Sequence, residues 1–173
     1  MPPTHTISIE WENKGFKVQG WLSFPANYDP KKTYPLLVEP HGGPEWSIGS
    51  RWDGDAWRGI NSFWPGMGYF LFLPNPRGSY GQGEAFTAAN RRDLGYGDLR
   101  DVLKGMDTIE AKYPIDKNRE GLELWGLHDY VRRDPYAAPP CRGRRRGHRK
   151  LHEFLWRNLL YDFYPVPVWR HAV

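Results

Sequence analysis

Residues 35–44 read PLLVEPHGGP and residues 69–79 read YFLFLPNPRGS, and these two stretches decide the fold. Each begins with a short, unbroken apolar run, at 35–39 and at 69–73, which is typical of strands buried on both faces of a sheet. Each run ends in proline and glycine, which interrupt regular structure. The pattern therefore predicts two parallel strands with a loop at the carboxyl end of each.

The residues before this pair predict a β-hairpin. Apolar and polar residues alternate at 7–11 and again at 16–22, on either side of a Lys-Gly turn at 14–15. Residues 25–32 (PANYDPKK) have the composition of a surface loop.

The residues after the pair predict a helix and one more strand. The helix has Gly97 or Asp98 as its N-cap and ends at 113–114, and a turn at 116–119 and a strand at 122–125 follow. One apolar stripe marks the helix: Leu99, Val102, Leu103, Met106 and Ile109. This order of elements is typical of an α/β domain with a largely parallel sheet, whose ligands gather at the carboxyl ends of the strands.

The two loops after the buried strands carry the candidate chemistry. The amides of Gly42 and Gly43 can point into a cleft because no side chain blocks them, which is the geometry of an oxyanion hole. A tight turn without function explains the same residues, and it is the preferred interpretation when the HGGP motif is considered by itself. In residues 75–83, Arg77 and the backbone could cradle an anion, but the spacing fits neither phosphate-binding glycine motif. A loop that leads into a helix is the preferred interpretation there.

The sequence predicts no metal site and no cofactor. His148 and His152 have helical spacing but lack a third ligand, and His128 is too close to Asp129 in sequence to face it as a base does its orienting acid. The single cysteine, Cys141, excludes an internal disulfide and a multi-cysteine zinc site within these residues.

Five segments occur in an order that matches a known family. They are GFKVQGWLSFP, YPLLVEPHGGPEW, YFLFLPNPRGSYGQGEAF, ANRRDLGYGDLRDVLKGMD and YPIDKNREGLELWG. Together, residues 4–126 resemble the catalytic domain of the prolyl oligopeptidase family of serine peptidases, in its dipeptidyl-peptidase and acylaminoacyl-peptidase-like branches. The resemblance implies a partial α/β-hydrolase fold, a peptide substrate and hydrolysis through a serine on a strand-to-helix elbow. It also implies that His41, Gly42 and Gly43 form the oxyanion loop.

The sequence departs from the family where the elbow is expected. The resemblance implies GWSYGG after the strand that ends at Trp125, but residues 127–130 read LHDY. These 173 residues contain no G-x-S-x-G, and their last serine is Ser79. No catalytic serine, aspartate or histidine is therefore assigned. The sequence predicts a truncated serine-type peptidase that is inactive as given.

The charge is divided unevenly along the chain. The net charge is +4, but residues 1–126 carry 14 Lys and Arg against 16 Asp and Glu, and residues 127–173 carry 10 against 4. The second segment also contains no Ser, Thr, Ile, Met or Gln. We expect residues 1–126 to be the N-terminal part of a peptidase catalytic domain and residues 127–173 to be a poorly structured basic tail.

A shifted reading frame explains this tail. Moved forward by one nucleotide, residues 126–130 can encode GYTTM, residues 141–157 can encode AAVAGAGIANYMSFYGE, and residues 163–170 can encode FIPFLFGA. All three resemble, in order, family segments that follow the nucleophile. The hypothesis is a small deletion that removed the elbow and put the remainder out of frame.

Two other functions remain open at this stage. A basic-tailed α/β module could bind nucleic acid non-specifically through residues 142–150, with Trp156 or Tyr161 stacking on bases. The other possibility is an interaction protein or an inert degraded product, in which the strand at 122–125 has an exposed edge. The sequence shows no signal peptide and no apolar run long enough to span a membrane, so no membrane partner is expected. It shows no recognised nucleic-acid-binding fold, so no specific nucleic acid is expected. Localisation, peptide specificity and oligomeric state are not predicted.

Overall fold

The computed structural model describes residues 4–50 and 60–122, and every structural statement below refers to those ranges. Their strands form one sheet in the order β1-β2-β4-β3-β5: β1 (Thr6–Asn13), β2 (Phe16–Ser23), β3 (Tyr34–Val38), β4 (Phe70–Asn75) and β5 (Ile115–Leu122). The helices are α1 (Ile60–Gly66), α2 (Glu84–Thr87) and α3 (Gly97–Lys112), with a 3-10 turn at Ala88–Asn90. The α/β class predicted from the sequence is confirmed.

The predicted N-terminal hairpin is present. Strands β1 and β2 pair antiparallel along their whole length, with Thr6 opposite Ser23 at the open end. At the turn, Lys14 and Gly15 both have positive φ angles, of 49° and 80°. Two-residue hairpin turns of this kind match the right-handed twist of the strands, and glycine adopts such angles without steric cost.

The two predicted buried strands are parallel neighbours at the centre of the sheet. Leu36 of β3 lies opposite Phe70 of β4, and all six residues of β4 are buried. The expectation of a largely parallel sheet is wrong for the described residues: β4 pairs antiparallel with β2 on its other side, because the hairpin joins the sheet there, and the sheet is mixed, with two antiparallel and two parallel ladders. Both candidate loops belong to the parallel half.

The predicted helix is α3, which packs across the sheet through a close approach at Gly105. A Cβ atom at that position would lie 2.7 Å from the Phe72 ring and 2.8 Å from the Trp11 ring, so only glycine lets the helix come this near. Leu99 and Leu103 of the predicted stripe are half-buried. The apolar face that is fully buried consists of Val102, Met106 and Ile109.

The predicted N-cap of this helix is wrong. Helix α3 begins at Gly97, and Tyr96 is the N-cap residue. Asp98 instead lies in the first turn, where its carboxylate accepts a hydrogen bond from the Leu99 amide at 2.8 Å. Burial raises the pKa of Asp98. An acidic side chain within the first turn can satisfy an otherwise unbonded amide there, which makes a capping side chain before the helix dispensable.

The last predicted strand is present, but its bounds are wrong. Strand β5 already begins at Ile115 and pairs parallel with β3, through the stretch predicted to be a turn at 116–119. The turn signal has a local cause, because the Asp116 carboxylate accepts hydrogen bonds from the Asn118 amide at 3.0 Å and from Arg119 Nε at 2.7 Å. The strand accommodates this as a register shift against β3. The predicted strand residues beyond 122 lie outside the described ranges.

Helix α1 lies in a segment whose glycine and proline content prevented a prediction. It includes Pro65 and places Trp64 against a buried apolar cluster on the sheet. The cluster consists of Leu37, Leu71 and Leu73, with Trp21, Ile48, Trp64 and Tyr69 packed around it. Burial of these large side chains supplies the free energy that holds α1 on the sheet.

Candidate functional site

Two loops leave the carboxyl edge of the parallel strands and lie side by side. The HGGP loop (residues 39–50) follows β3, and the NPRGS loop (residues 75–83) includes the last residue of β4 and leads to α2. Because β3 and β4 are parallel neighbours, both loops start from one edge of the sheet. Ligands of α/β sheets bind at this edge, which makes the pair of loops the candidate site.

Asn75 joins the two loops at the base of the site. Its Oδ1 accepts a hydrogen bond from the Ile48 amide at 2.8 Å, and its Nδ2 donates to the Ile48 carbonyl at 2.9 Å. The second Nδ2 proton goes to Gln19 Oε1 at 2.8 Å. Farther out, the Tyr80 amide donates to the Trp46 carbonyl at 3.0 Å. The loops are therefore fixed to each other by backbone and side-chain hydrogen bonds.

The two glycines of the HGGP loop are exposed at this edge. Gly43 has a φ of 141°, and a Cβ atom there would lie 2.8 Å from the Glu45 nitrogen, so the backbone requires glycine. A Cβ atom on Gly42 would meet nothing within 4 Å. The structure thus places His41, Gly42 and Gly43 together beside the NPRGS loop, and their role as an oxyanion loop stays a prediction.

His41 connects the two loops through its imidazole ring. Its Nδ1 lies 2.9 Å from the Gly42 carbonyl oxygen, and its Nε2 lies 2.8 Å from Ser79 Oγ. The Trp46 ring contacts the imidazole edge-on, with 5.9 Å between the ring centroids. Burial lowers the pKa of His41, and the hydrogen bond to the Gly42 carbonyl opposes that shift. Desolvation therefore favours the neutral imidazole.

Ser79 is buried within the NPRGS loop. It is 1% exposed, and its hydroxyl donates a hydrogen bond to the Pro76 carbonyl at 2.6 Å. The other partner of its Oγ is His41. A serine that attacks a substrate must present its Oγ to the cleft. Ser79 does not do so, and its contacts are those of a residue that shapes the loop.

The anion-cradle interpretation of Arg77 is wrong, and the alternative of a loop that leads into a helix fits. Arg77 is 5% exposed and forms a two-pronged ion pair with Asp101 of α3, with Nε at 2.8 Å and Nη2 at 2.7 Å from the carboxylate oxygens. Its guanidinium carbon also lies 5.0 Å from the centroid of the Phe16 ring. Hydrogen bonds to Asp101 raise the pKa of Arg77. The guanidinium is turned into the protein and is already engaged there.

Asp101 is a residue of the site region that sequence reasoning missed. Besides the Arg77 side chain, its carboxylate accepts hydrogen bonds from the Arg77 amide at 2.9 Å and from Asn13 Nδ2 at 2.7 Å. Its backbone carbonyl accepts one from Trp11 Nε1 at 2.9 Å. The side chain thereby fastens the NPRGS loop to α3 and to the hairpin. The only sequence signal was a carboxylate next to the apolar stripe of a helix.

Several predicted features fall outside the described residues. These are the domain boundary after residue 126, the basic tail at 127–173, Cys141, and the histidines at 128, 148 and 152. Among residues 4–50 and 60–122, no three His, Cys, Asp or Glu side chains gather as metal ligands would. In the same part of the chain, no helix has the length and apolarity needed to cross a bilayer.

The sheet and its two loops define a class of fold, which is part of an α/β-hydrolase domain. The acylaminoacyl peptidase of Pyrococcus horikoshii matches 70% of this chain with a TM-score of 0.60 and 23% identity, over 19% of its own length. A putative dipeptidyl aminopeptidase IV from Bacteroides ovatus matches 70% of the chain with a TM-score of 0.60 and 27% identity, over 17% of its length. The predicted fold class is confirmed.

Sequence comparisons give the family within that class. The profile of the Prolyl oligopeptidase family matches residues 57–126. The uncharacterized peptidase YuxL of Bacillus subtilis is 36% identical over 124 residues, and a probable dipeptidyl-peptidase 5 of Aspergillus terreus is 30% identical over 120 residues. The matched residues cover 68% and 69% of this chain but only 18% and 16% of those relatives. The chain therefore carries an N-terminal part of a catalytic domain of the prolyl oligopeptidase family.

Proposed function

We propose that this chain carries the oxyanion-binding part of a serine-type peptidase domain and that peptides are the substrate class of the intact site. The supporting observation is the exposed pair Gly42 and Gly43 at the carboxyl edge of the parallel strands, fixed against the NPRGS loop. Amide donors held in place before the reaction stabilise the negative charge that develops on the carbonyl oxygen when a nucleophile attacks. The named dipeptidyl and acylaminoacyl peptidases among the relatives and neighbours are consistent with that chemistry.

In this proposal the 173 residues alone do not hydrolyse peptides. Where the elbow is expected, residues 127–130 read LHDY, and the last serine, Ser79, is buried. An oxyanion site without a nucleophile and its base retains only a small part of the rate enhancement of such enzymes.

A fluorophosphonate probe tests the absence of a nucleophile. Incubated with the purified full chain, it should label nothing, whereas an intact serine hydrolase added to the same tube should be labelled. The matched variant is Ser79→Ala. Labelling of the unmutated chain that Ser79→Ala abolishes would identify Ser79 as a nucleophile and overturn the proposal.

The positive half of the proposal is tested on a repaired chain. In it GWSYGG is restored at residue 126 and the following codons are read one nucleotide forward. Once cooperative unfolding has shown that this chain folds, the probe should label its new serine, and a serine-to-alanine change there should remove the label. A folded, repaired chain that stays unlabelled contradicts the peptidase assignment.

The shifted frame is the explanation that we propose for residues 127–173. It accounts for the excess of 10 basic over 4 acidic residues and for the missing Ser, Thr, Ile, Met and Gln with one event. The coding DNA decides it directly. A one-nucleotide shift must give a continuous family sequence after Gly126, and a DNA sequence that does not restore it refutes the idea.

Non-specific nucleic-acid binding is the alternative, and its support is the basic run at 142–150. Binding of this kind depends on counterion release and therefore falls steeply as salt rises. A fluorescence-anisotropy titration with a single-stranded oligonucleotide separates the two cases. Affinity that disappears with salt would favour the alternative, and no binding at low salt would eliminate it.

A further inference from the structure

The strongest unexplained feature of the site is the pair formed by His41 and Ser79. The two residues are 38 positions apart and belong to different loops, and both nitrogens of the imidazole have defined neighbours. The Gly42 carbonyl oxygen, 2.9 Å from Nδ1, can only accept a hydrogen bond. A hydrogen bond between these two atoms requires a proton on Nδ1.

The second nitrogen of the ring then faces the Ser79 hydroxyl. Nε2 lies 2.8 Å from Ser79 Oγ. The Ser79 hydroxyl donates its single proton to the Pro76 carbonyl at 2.6 Å, so Ser79 Oγ accepts a hydrogen bond from Nε2 when that nitrogen carries a proton. The contact crosses from one loop to the other and is partly buried.

The contact between His41 and Ser79 and the other hydrogen bonds between the loops lie on opposite sides of the two glycines in sequence. The other hydrogen bonds between the loops involve Trp46 and Ile48, which follow the glycines in sequence. The contact between His41 and Ser79 precedes them. Gly42 and Gly43 are thus held between an attachment on each side.

We propose that the hydrogen bond between His41 Nε2 and Ser79 Oγ is a latch between the two loops, and that Ser79 is a positioning residue for the glycine segment. The latch acts through His41 and touches no reacting atom. The relevance of the latch to catalysis rests on the proposed oxyanion function of Gly42 and Gly43. The existence of the latch is independent of that function.

The hydrogen bonding of His41 Nε2 in the unmutated full chain tests the latch without any variant. Long-range ¹⁵N–¹H spectra of the labelled protein at neutral pH should show Nε2 in a hydrogen bond. An Nε2 resonance at the position of an unbonded ring nitrogen would overturn the proposal. This result does not depend on peptidase activity, so it is separate from the outcome of the probe experiment.

Ser79→Ala tests the positioning role. The Nε2 resonance should move toward that of an unbonded ring nitrogen, and the protection factor of the Trp46 amide, which donates to the Pro44 carbonyl at 2.9 Å, should fall about fivefold. Ser23→Ala is the control, since it removes another buried serine hydroxyl, 2.8 Å from Thr6 Oγ1 on the hairpin. Both readouts should stay unchanged in the control. A Trp46 amide equally protected in Ser79→Ala and in the unmutated chain would contradict the positioning role.

Discussion

The HGGP loop and the NPRGS loop lie side by side but differ in what they expose. The HGGP loop presents backbone, since Gly42 and Gly43 are exposed at the edge of the sheet. The first part of the NPRGS loop buries its polar side chains, since Asn75, Arg77 and Ser79 are all buried and hydrogen-bonded. The HGGP loop therefore exposes backbone at this edge, and the NPRGS loop uses its buried polar side chains to hold neighbouring parts of the protein.

This difference between the loops shows that polar side chains near a candidate site can have a structural role. Arginine and serine in a glycine-rich loop resemble ligand-binding groups in sequence, yet here they bind other parts of the protein. Buried polar groups must be paired, because an unpaired one costs free energy that the fold cannot easily offset. Substitutions in the two loops and at their partners should therefore differ in their cost to the free energy of unfolding.

Asp101→Ala should cause the largest loss of stability. It leaves the Arg77 guanidinium buried without its counter-charge, and breaking a buried pair in this way costs about 3–5 kcal/mol. Urea unfolding of the full chain measures the loss. Glu10→Ala is the matched control, because it breaks an exposed pair with Lys17 that is worth about 0–1 kcal/mol. Equal losses in the two variants would show that the NPRGS loop is not anchored through Asp101.

Asn75→Ala should rank second. It removes both hydrogen bonds to Ile48 and takes from the half-buried Ile48 amide its acceptor, at about 1–3 kcal/mol, while the Ile48 carbonyl keeps the bond from Trp21 Nε1 at 2.7 Å. Asn118→Ala, at an exposed asparagine, should change the free energy of unfolding by no more than about 0.5 kcal/mol. A loss of unfolding free energy in Asn75→Ala no larger than that in Asn118→Ala would show that Asn75 does not hold the two loops together.

The two glycines of the HGGP loop should differ in how well they tolerate a side chain. Gly43→Ala forces a side chain onto a φ of 141° and within 2.8 Å of a backbone nitrogen, which should cost about 1–3 kcal/mol. Gly42→Ala places its methyl group in open space and should stay within about 0.5 kcal/mol of the unmutated chain. Thermal unfolding of both variants measures the difference. The reverse order would mean that this backbone is held differently.

The smallest effect concerns pH. Burial lowers the pKa of His41 in the folded chain, so the unfolded chain binds that proton more tightly. The contribution of His41 to the free energy of unfolding should therefore be full above the unfolded pKa of about 6.5 and decrease as the pH falls toward the folded pKa. Urea titrations at about pH 7.5 and about pH 5.5 measure the free energy of unfolding at each pH. Its decrease toward the lower pH should be smaller in His41→Asn than in the unmutated chain. An identical decrease would remove His41 as the cause.

Local pattern was sufficient for most of the fold. The apolar runs predicted β3 and β4 because strands buried on both faces cannot alternate with polar residues. The stripe that includes Val102 and Met106 predicted α3, and alternation predicted the hairpin. In the candidate site, the glycines were found because few other residues allow such a backbone close to a ligand.

Contacts between distant residues were not predictable from pattern. Arg77 and Asp101 are 24 positions apart, and nothing near either residue identifies the partner. Arg77 therefore resembled a free anion ligand. The bounds of β5 were wrong for a related reason, since the local hydrogen bonds of Asp116 signal a turn while pairing with β3 continues the strand. Tertiary pairing overrode the local signal.

Native-state hydrogen exchange of the full chain tests the division between the loops most directly. The amides of Arg77 and Tyr80 donate to Asp101 at 2.9 Å and to the Trp46 carbonyl at 3.0 Å and should be strongly protected. Gly42 and Gly43 are exposed residues, and their amides should exchange close to the rate of an unstructured chain. Strong protection of the glycine amides together with rapid exchange at Arg77 and Tyr80 would contradict the account.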